Sequence, residues 1–403
     1  MRLSPAWLSD SELQNLIVVL EGCARFVGGC VRDAFLGISA RDIDLATVFP
    51  PQEIIRLLKN SGITALETGV LHGTVTALLP NRSVEITTLR RDVSCDGRHA
   101  KVEFSDSWEE DAERRDFTCN ALSMNAGGEV FDYFDGIADL EKKIVRFVGD
   151  PALRVREDYL RVLRYFRFLA RFSGPIDSAS MQACAQAVAG IDQLSGERIY
   201  KEMRALLQEK HASRSLALVQ DYKIILPFLP QFSAQELRAL KRLENLADCI
   251  PEAADHQLRA AVLLVFSAGE QQEFFCKRLR YPLAEAKILQ QLIPAFALDL
   301  HDFRTWRIFA VDNGLRLAVL AALGVLTLAE NFSAEKSIQQ ITEMHAWKIP
   351  EFPLKGRDLL GLGLKPSPEI GAMLVRARKH WVDSDFTFTG KQLLEKLGAD
   401  SGK

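Results

Sequence analysis

The chain has 403 residues, of which 48% are hydrophobic and 26% are charged, and its formal net charge is −3. This ordinary globular balance excludes a disordered chain, and the length predicts two to four domains rather than one compact core. The longest apolar stretch, residues 317–329, is interrupted by Thr327 and is shorter than the roughly 18 residues that a membrane-spanning helix needs. We therefore expect a buried helix there and no membrane partner.

The N-terminal segment and the cysteines indicate a cytoplasmic protein. No basic stretch followed by an apolar run opens the chain, so no signal peptide is expected. The seven cysteines are odd in number and form no CxxC pair, which predicts reduced thiols and neither a disulfide framework nor a zinc site.

The first 145 or so residues mix helical and strand patterns. A polar cap at Asp10 and helical spacing predict helices over 10–20 and 51–60. Short β-branched runs between turn residues predict four strands, over residues 24–27, 43–48, 73–79 and 84–88. From residue 151 onward, Leu, Ala, Arg and Glu dominate with 3.6-residue spacing. The expected fold class is α+β, with a mixed head followed by an all-α remainder.

Two glycines at the end of the first strand predict a phosphate-binding turn. Gly28 and Gly29 let the backbone approach a ligand closely, and the free amides of a following helix attract phosphate. Arg32 lies one turn into that helix, where its guanidinium suits a triphosphate oxygen. The alternative is an ordinary turn, because paired glycines are common in turns.

Asp42 and Asp44 stand two residues apart on the second predicted strand. Side chains at positions i and i+2 of a strand share a face, so the two carboxylates can share a metal. Two hard cations between such carboxylates serve in-line phosphoryl transfer, which predicts two Mg²⁺ ions. The alternative is a surface pair neutralised by Arg41. Glu85, in an apolar strand, is either a third ligand, a base for the attacking hydroxyl, or an outward residue.

The segment 114–121 combines phosphate donors with hydroxyl acceptors. Arg115 can contact phosphate, while Asp116 and Asn120 can accept hydrogen bonds from ribose. The alternative is a helix capped by Asp116 or Thr118, with a charged first turn.

A helix predicted over residues 151–172 carries Asp158 and Arg161 on one face. A carboxylate accepts hydrogen bonds and a guanidinium donates them, so the pair matches the pairing edges of cytosine and adenine and mismatches uracil and guanine. The alternative is an intrahelical salt bridge on a solvated face. The helical wheel places Arg164 and Tyr165 on the polar arc, and Arg167 near the apolar side, where it pairs inside the protein or with phosphate.

Four ordered motifs resemble those of class II tRNA nucleotidyltransferases, which include CCA-adding enzymes and bacterial poly(A) polymerases. They are Gly28-Gly29-x-Val31-Arg32-Asp33, Asp42-x-Asp44, Arg114-Arg115-Asp116-Phe117-Thr118-x-Asn120 and Glu157-Asp158-x-x-Arg161. The resemblance implies a polymerase-β-like nucleotidyltransferase head over 1–147, followed by a helical neck over 148–210, a body over 211–345 and a tail over 346–403. It also implies metal binding by Asp42 and Asp44, and a nucleotide contacted by Gly29, Arg32 and Arg115. The resemblance further implies that the side of the site that faces the nucleobase, the base side, is lined by Asp158, Arg161, Arg164 and Arg167.

Members of this family have several activities, and two segments of the sequence favour one of them. A polar, aperiodic loop over 90–99 with Arg90-x-Asp92 resembles enzymes that add the full CCA, and segment 68–74 resembles the CCA type rather than poly(A) polymerases. We therefore predict transfer of CMP, CMP and AMP from CTP and ATP to the 3′ end of tRNA, bound through its acceptor region, with no obligate protein partner. The alternatives are A-only addition, poly(A) synthesis, and a non-catalytic RNA-binding protein.

Overall fold

The computed structural model describes residues 1–40, 42–95, 100–224, 228–229, 232–300, 302–361 and 367–400. Two compact units divide the chain. The first comprises residues 1–231 and 269–281, and the second comprises residues 232–268 and 282–403. Among the described helices, none is long and apolar enough to cross a membrane. The division into head, neck, body and tail stays a prediction.

Among the described residues, nine strands lie in the N-terminal part of the first unit. They are β1 Ala24–Val27, β2 Asp44–Thr47, β3 Thr64–Gly69, β4 Thr74–Leu79, β5 Arg82–Thr88, β6 Arg90–Cys95, β7 Ala100–Phe104, β8 Ser123–Met124 and β9 Val130–Phe131. Seven of them form one sheet in the order β3-β4-β5-β2-β1-β8-β9, and β6 pairs with β7 in a separate ribbon. All four predicted strands are confirmed, and so is the mixed head.

The pairing of β2 with β5 is parallel, whereas the other pairings in the sheet are antiparallel. In the parallel pair, Asp44 lies opposite Glu85. Leu45 and Ile86, the next residues along, are fully buried on the other face. Because side chains alternate across a sheet, the pattern turns Asp44 and Glu85 toward the same, more open face.

Five helices accompany these strands: α1 Ser11–Val19, α2 Gly29–Phe35, α3 Pro51–Asn60, α4 Trp108–Glu113 and α5 Gly136–Glu141. The predictions of α1 and α3 are confirmed. The Asp10 carboxylate accepts a hydrogen bond from the Glu12 amide and caps α1. Pro51 occupies the first turn of α3, where its missing N–H costs nothing.

The prediction of an aperiodic loop over 90–99 is wrong for its first half, which forms β6. Arg91 lies opposite Glu103 on β7, and their side chains form an ion pair of 2.7 Å. A polar strand therefore gains its partner across the ribbon, a pairing that local periodicity does not reveal. Residues 96–99 and the side chain of Asp92 lie outside the described residues.

The remaining helices are α6 Pro151–Glu157, α7 Leu160–Phe172, α8 Ser178–Gln186, α9 Val188–Ile191, α10 Gly196–Gln208, α11 Ala212–Asp221, α12 Ala234–Leu246, α13 His256–Leu264, α14 Gly269–Arg278, α15 Leu283–Ala295, α16 Phe303–Asn313, α17 Leu315–Leu328, α18 Ala334–Ala346, α19 Gly356–Leu360, α20 Pro368–Asp383 and α21 Gly390–Asp400. The all-α remainder is therefore confirmed. Helices α6 to α11 and α14 belong to the first unit, and the others to the second.

The single helix predicted over 151–172 is wrong, because the chain breaks at Asp158. That residue is extended, with φ −154° and ψ 106°, and its carboxylate accepts a hydrogen bond from the Leu160 amide at 3.1 Å. Aspartate competes for backbone amides in this way and so favours a helix start over a helix interior. Tyr165, predicted on the polar arc, is fully buried and stacks on Phe147.

The second unit is built around α17, where ten of the fourteen residues are buried. The interpretation of residues 317–329 as a core helix is confirmed. The C-terminal part of the second unit has a separate apolar cluster, formed by Leu354, Leu359, Ala377, Trp381, Leu393 and Leu397.

Candidate active site

Three carboxylates meet at the open face where β2 begins. Asp44 is the first residue of β2, Glu85 is its register partner on β5, and Asp42 precedes the strand by two residues. Asp42 and Glu85 are exposed and Asp44 is half-buried. The structure therefore brings together the three residues that the sequence proposed for catalysis. Arg41, the alternative partner of the two aspartates, lies outside the described residues.

The electrostatics of this cluster are unfavourable to a charged Asp44. Burial, then the charges of Glu85 and Asp42, raise the pKa of Asp44 to about 6, and the nearby Arg115 guanidinium only partly opposes them. Negatively charged carboxylates that lie close together repel one another unless a cation lies between them. Carboxylate oxygens are also the ligands that hard divalent cations prefer. The donor set therefore fits such a cation.

No ready-made metal cage of three His, Cys, Asp or Glu side chains occurs in the described part of the chain. Mg²⁺ does not require one, because it commonly takes one or two carboxylates and completes its shell with water and substrate phosphates. Asp42 and Asp44 are the two residues that can supply those carboxylates.

Gly28 links β1 to α2 in a conformation reserved for glycine. Its φ is 70° and its ψ is −122°, and a Cβ atom there would lie 2.8 Å from Nη1 of Arg115. The Gly28 amide donates to the carbonyl oxygen of Leu122 at 3.0 Å. Gly28 is thus needed both for the turn and for the close approach of Arg115. Gly29 is the first residue of α2. The Arg32 side chain is the group nearest to the position that a Cβ atom would occupy at Gly29.

Arg32 is buried and hydrogen-bonded within the head. Its Nη1 donates to Oδ1 of Asn120 at 2.6 Å, and its Nε donates to Oδ1 of Asp33 at 2.9 Å. Asp33 also accepts from Arg171 near the end of α7, at 2.9 Å. Because its partners fix the guanidinium from several sides, Arg32 holds the glycine turn against Asn120.

Asp116 connects the head to α7. It is buried, and its Oδ1 accepts a hydrogen bond from the side-chain Nδ2 of Asn120 at 2.9 Å. Its Oδ2 accepts a hydrogen bond from Nε of Arg164 at 2.6 Å. Burial favours the neutral acid, but the charge of Arg164 and the hydrogen bonds outweigh burial, so the pKa of Asp116 is lowered. The predicted helix with a cap at Asp116 or Thr118 is replaced by a 3-10 turn over Thr118–Asn120 that has no side-chain cap.

Arg164 and Arg167 share a carboxylate from α10. Nη1 of Arg164 lies 3.5 Å from Oε1 of Glu202, and Nη1 of Arg167 lies 3.1 Å from Oε2. Both guanidinium groups also lie over the ring of Phe168. The prediction that Arg167 pairs inside the protein is therefore confirmed.

The alternative for Asp158 and Arg161, an intrahelical salt bridge between them, is wrong, and so is their predicted place on one face of a single helix. Oδ2 of Asp158 accepts from Nη2 of Arg198 at 2.6 Å. Arg161 forms an ion pair with Glu157 and donates to the carbonyl oxygen of Arg114 at 3.1 Å. The break at Asp158 takes its side chain out of the helical register, so Arg161 meets its i−4 neighbour instead.

Sequence reasoning gave no role to Arg198 or Glu202, although each contacts a predicted base-side residue. Arg198 holds Asp158, and Glu202 holds Arg164 and Arg167. The two stand four residues apart, on one face of α10. That spacing shows that the two side chains share a helix face, whereas their partners on α7 follow only from the tertiary structure.

Two family models match the chain. Residues 24–146 match a model described as the poly(A) polymerase head domain. Residues 175–236 match one described as a probable RNA- and SrmB-binding site of polymerase A.

Relatives with assigned names match along nearly the whole chain. The mitochondrial CCA tRNA nucleotidyltransferase 1 of Homo sapiens is 35% identical, over 96% of this chain and 89% of the relative. The CCA-adding enzyme of Streptococcus gordonii is 32% identical, over 90% of this chain and 92% of the relative.

Solved structures share the fold. The CCA-adding enzyme of Bacillus stearothermophilus, determined with CTP, superposes with a TM-score of 0.80 at 24% identity, covering 99% of this chain and 98% of the other. The CCA-adding enzyme of Thermotoga maritima, determined with tRNA, superposes with a TM-score of 0.69 at 20% identity, covering 99% of this chain and 100% of the other.

Proposed function

The chain belongs to the family of CCA-adding tRNA nucleotidyltransferases, and from this premise we propose that it transfers CMP, CMP and AMP from CTP and ATP to the 3′ end of tRNA. One observation carries the proposal. Asp44 and Glu85 lie in register on the open face of the sheet, with Asp42 two residues away and Arg115 beside Gly28. This arrangement supplies anionic ligands next to a cationic group that suits phosphate.

Membership of the family implies dependence on a divalent metal, and we assign Mg²⁺ to Asp42 and Asp44. When bound, two such ions would neutralise the charge of the transferring phosphoryl group and favour ionisation of the 3′-hydroxyl. Glu85 adds negative charge beside Asp44 and is the candidate for a third ligand or for a base.

In this proposal the glycine turn and Arg115 bind the triphosphate, and Arg32 supports them. Gly28 and Gly29 keep the space above the turn free of side chains, and Arg115 points across it. Arg32 acts mainly from below, by fixing Asn120 and the start of α2. These contacts hold the phosphates while the base extends toward α7.

Base selection belongs to Asp158 and Arg161 in this proposal. The carboxylate accepts from the amino group of cytosine or adenine, and the guanidinium donates to the adjacent ring nitrogen. Both side chains already have protein partners, Arg198 and Glu157, so binding a base requires that these hydrogen bonds be shared or exchanged. Asp116 and Glu202 keep Arg164 and Arg167 oriented on the same side.

The proposal extends to the substrate and the compartment. Basic residues of the C-terminal segment, among them Lys355, Arg376 and Lys379, would contact the acceptor region of tRNA. Cytoplasmic location, predicted from the cysteine pattern, remains part of the proposal.

The direct test offers tRNA that ends before CCA together with single labelled nucleotides. We expect CMP incorporation from CTP alone, and AMP incorporation from ATP only after CTP has been used. Incorporation of ATP without CTP would indicate the A-adding activity. Long A tails would indicate poly(A) synthesis. Tight tRNA binding without metal-dependent turnover would indicate a non-catalytic RNA-binding protein.

A further inference from the structure

A cavity of about 290 Å³ opens on the head at the start of β1. Its walls include the rings of Trp108 and Phe131, the side chain of Val48 and the guanidinium group of Arg25. None of the activities described above assigns a role to Arg25. We refer to this space as the Arg25 cavity.

The Arg25 guanidinium is held between two aromatic rings. It lies 4.1 Å from the centre of the Trp108 ring and 3.7 Å from the centre of the Phe131 ring. Both contacts are close enough for cation–π attraction, so the rings help to fix the position of the guanidinium group. Its Nη1 donates to the hydroxyl oxygen of Tyr133 at 3.3 Å, which leaves the Tyr133 proton free to serve as a further donor.

Arg25 differs from Arg32 and Arg115 in its charge balance. Arg32 is paired with Asp33, and Arg115 with Asp111. Within the described residues, no carboxylate forms an ion pair with Arg25, although the residue is half-buried. A cation fixed by rings, with an unneutralised edge next to a hydroxyl donor, is preorganised for an oxyanion.

The cavity lies on the same face of the sheet as the catalytic carboxylates. Arg25 is opposite Ala46 in the register of β1 and β2, and Trp108 packs on the cluster that contains Ala46. Ala46 follows Asp44 by two residues, a step of about 6–7 Å along one face of a strand. Arg25 therefore lies close enough to Asp44 for the nucleotides just upstream of a 3′ end placed at Asp44 to reach it.

We propose that the Arg25 cavity is a phosphate-binding subsite, and that it holds a backbone phosphate of the RNA upstream of the reacting 3′ end. This assignment rests on the proposed function. The volume is at the lower end of ligand cavities, so it suits one phosphate with its sugar rather than a whole nucleoside triphosphate. One arginine is a weak site for a free ion, but it adds to the affinity of a polyanion held elsewhere.

The test compares Arg25→Gln with Arg56→Gln, which removes an exposed arginine whose partner is Glu53 on α3. The dissociation constant for tRNA ending before CCA is measured over a range of salt concentrations. We expect Arg25→Gln to bind about threefold to tenfold more weakly, with a salt slope shallower by about one. The loss should fall on KM for tRNA rather than on kcat, and Arg56→Gln should match the wild type.

Two further measurements separate the sources of the phosphate and protect the test against misfolding. Tyr133→Phe deletes only a hydroxyl group, and we expect about twofold weaker tRNA binding, whether or not Arg25→Gln folds. Inorganic phosphate is titrated at constant ionic strength. If it displaces tRNA less readily from Arg25→Gln than from the wild type, phosphate and tRNA compete at Arg25, as the proposal expects. If it binds at Arg25 without lowering the affinity for tRNA, the subsite takes the free ion and the RNA assignment is overturned.

The remaining outcomes separate this proposal from the proposed function. If the wild type adds C and A normally, but neither Arg25→Gln nor Tyr133→Phe changes the affinity for tRNA, only the subsite is overturned. If the wild type adds no nucleotide to tRNA, the proposed function itself is overturned.

Discussion

The first unit contains two buried or half-buried acids whose pKa values move in opposite directions. Asp44, at the start of β2, has like-charged neighbours, and its pKa rises to about 6. Asp116, between the sheet and α7, has Arg164 as its partner, and its pKa is lowered. The charged form of Asp44 is unfavourable until a cation binds beside it. The charge of Asp116 is already neutralised by Arg164. The comparison separates a site for chemistry from a scaffold that supports it.

The largest effect should follow from removing a carboxylate of the first region. We expect Asp42→Ala to lower nucleotide addition by about three orders of magnitude or more, because a metal ligand stabilises charge in the transition state. Affinity for tRNA should stay within about twofold. Turnover is measured with labelled CTP in magnesium, and Asp106→Ala, at an exposed head aspartate, serves as control. Near-normal turnover of Asp42→Ala would mean that the metal assignment is wrong.

The glycine turn offers a sharper test of geometry. Gly28→Ala should displace Arg115, because the new Cβ would approach its Nη1 to 2.8 Å, and we expect about a hundredfold loss of turnover. Gly37→Ala is a matched control, since Gly37 also has a positive φ but has open space around its Cβ position. Both variants should lose about 1 kcal/mol of stability from backbone strain. Equal activities in the two variants would exclude a role for the close approach of Arg115.

A substitution in the scaffold around Asp116 should lower the stability of the protein rather than its turnover. Asp116→Asn leaves Arg164 with Glu202 as its remaining carboxylate partner, and we expect the free energy of unfolding to fall by about 2–3 kcal/mol. Asp10→Asn is the control, because the Asp10–Arg82 pair is more exposed and asparagine also caps helices. Urea denaturation of both variants measures the difference. If Asp116→Asn lowers the free energy of unfolding by less than Asp10→Asn does, the scaffold role of Asp116 is contradicted.

The same pair sets a pH dependence of stability. Because the folded pKa of Asp116 lies below its unfolded value of about 3.9, its contribution is complete above the unfolded pKa. The contribution is lost as the pH falls through the folded pKa. Stability measured from neutral pH into this acid range should therefore fall less steeply in Asp116→Asn than in the wild type. Parallel curves would show that Asp116 does not keep its low pKa in solution.

The smallest effect should be on base choice. We expect Asp158→Ala to relax the rejection of UTP and GTP by about tenfold, because the wrong bases no longer face an unsatisfied carboxylate. Asp150→Ala is the control, since Asp150 caps the adjacent helix α6 and should affect stability only. Misincorporation is measured with single nucleotides. Unchanged rejection of UTP and GTP would exclude Asp158 from base selection.

Local patterns predicted much of this molecule. Short β-branched runs predicted β1, β2, β4 and β5, and helical spacing predicted α1 and α3. The Asp-x-Asp spacing predicted that Asp42 and Asp44 act together. The register that places Glu85 opposite Asp44 lies beyond such patterns, because strands far apart in sequence choose their pairing through the whole sheet. The ribbon of β6 and β7 escaped prediction for the same reason.

The base-side residues show a second limit of prediction. A helical wheel assumes an unbroken helix, so it paired Asp158 with Arg161 and placed Tyr165 toward solvent. The break at Asp158 and the aromatic contacts of Tyr165 change both results. Arg198 and Glu202 come from another helix, and only the tertiary structure brings them to α7.

The most direct test of the central claim measures whether Mg²⁺ stabilises the protein through the aspartates at β2. Thermal unfolding is followed with and without Mg²⁺ at constant ionic strength, for the wild type and for a variant that combines Asp42→Asn with Asp44→Asn. A ligand that binds only the folded state raises the midpoint, so we predict an upward shift in the wild type and none in the variant. An equal shift in both proteins would contradict the claim that these two carboxylates hold the metal.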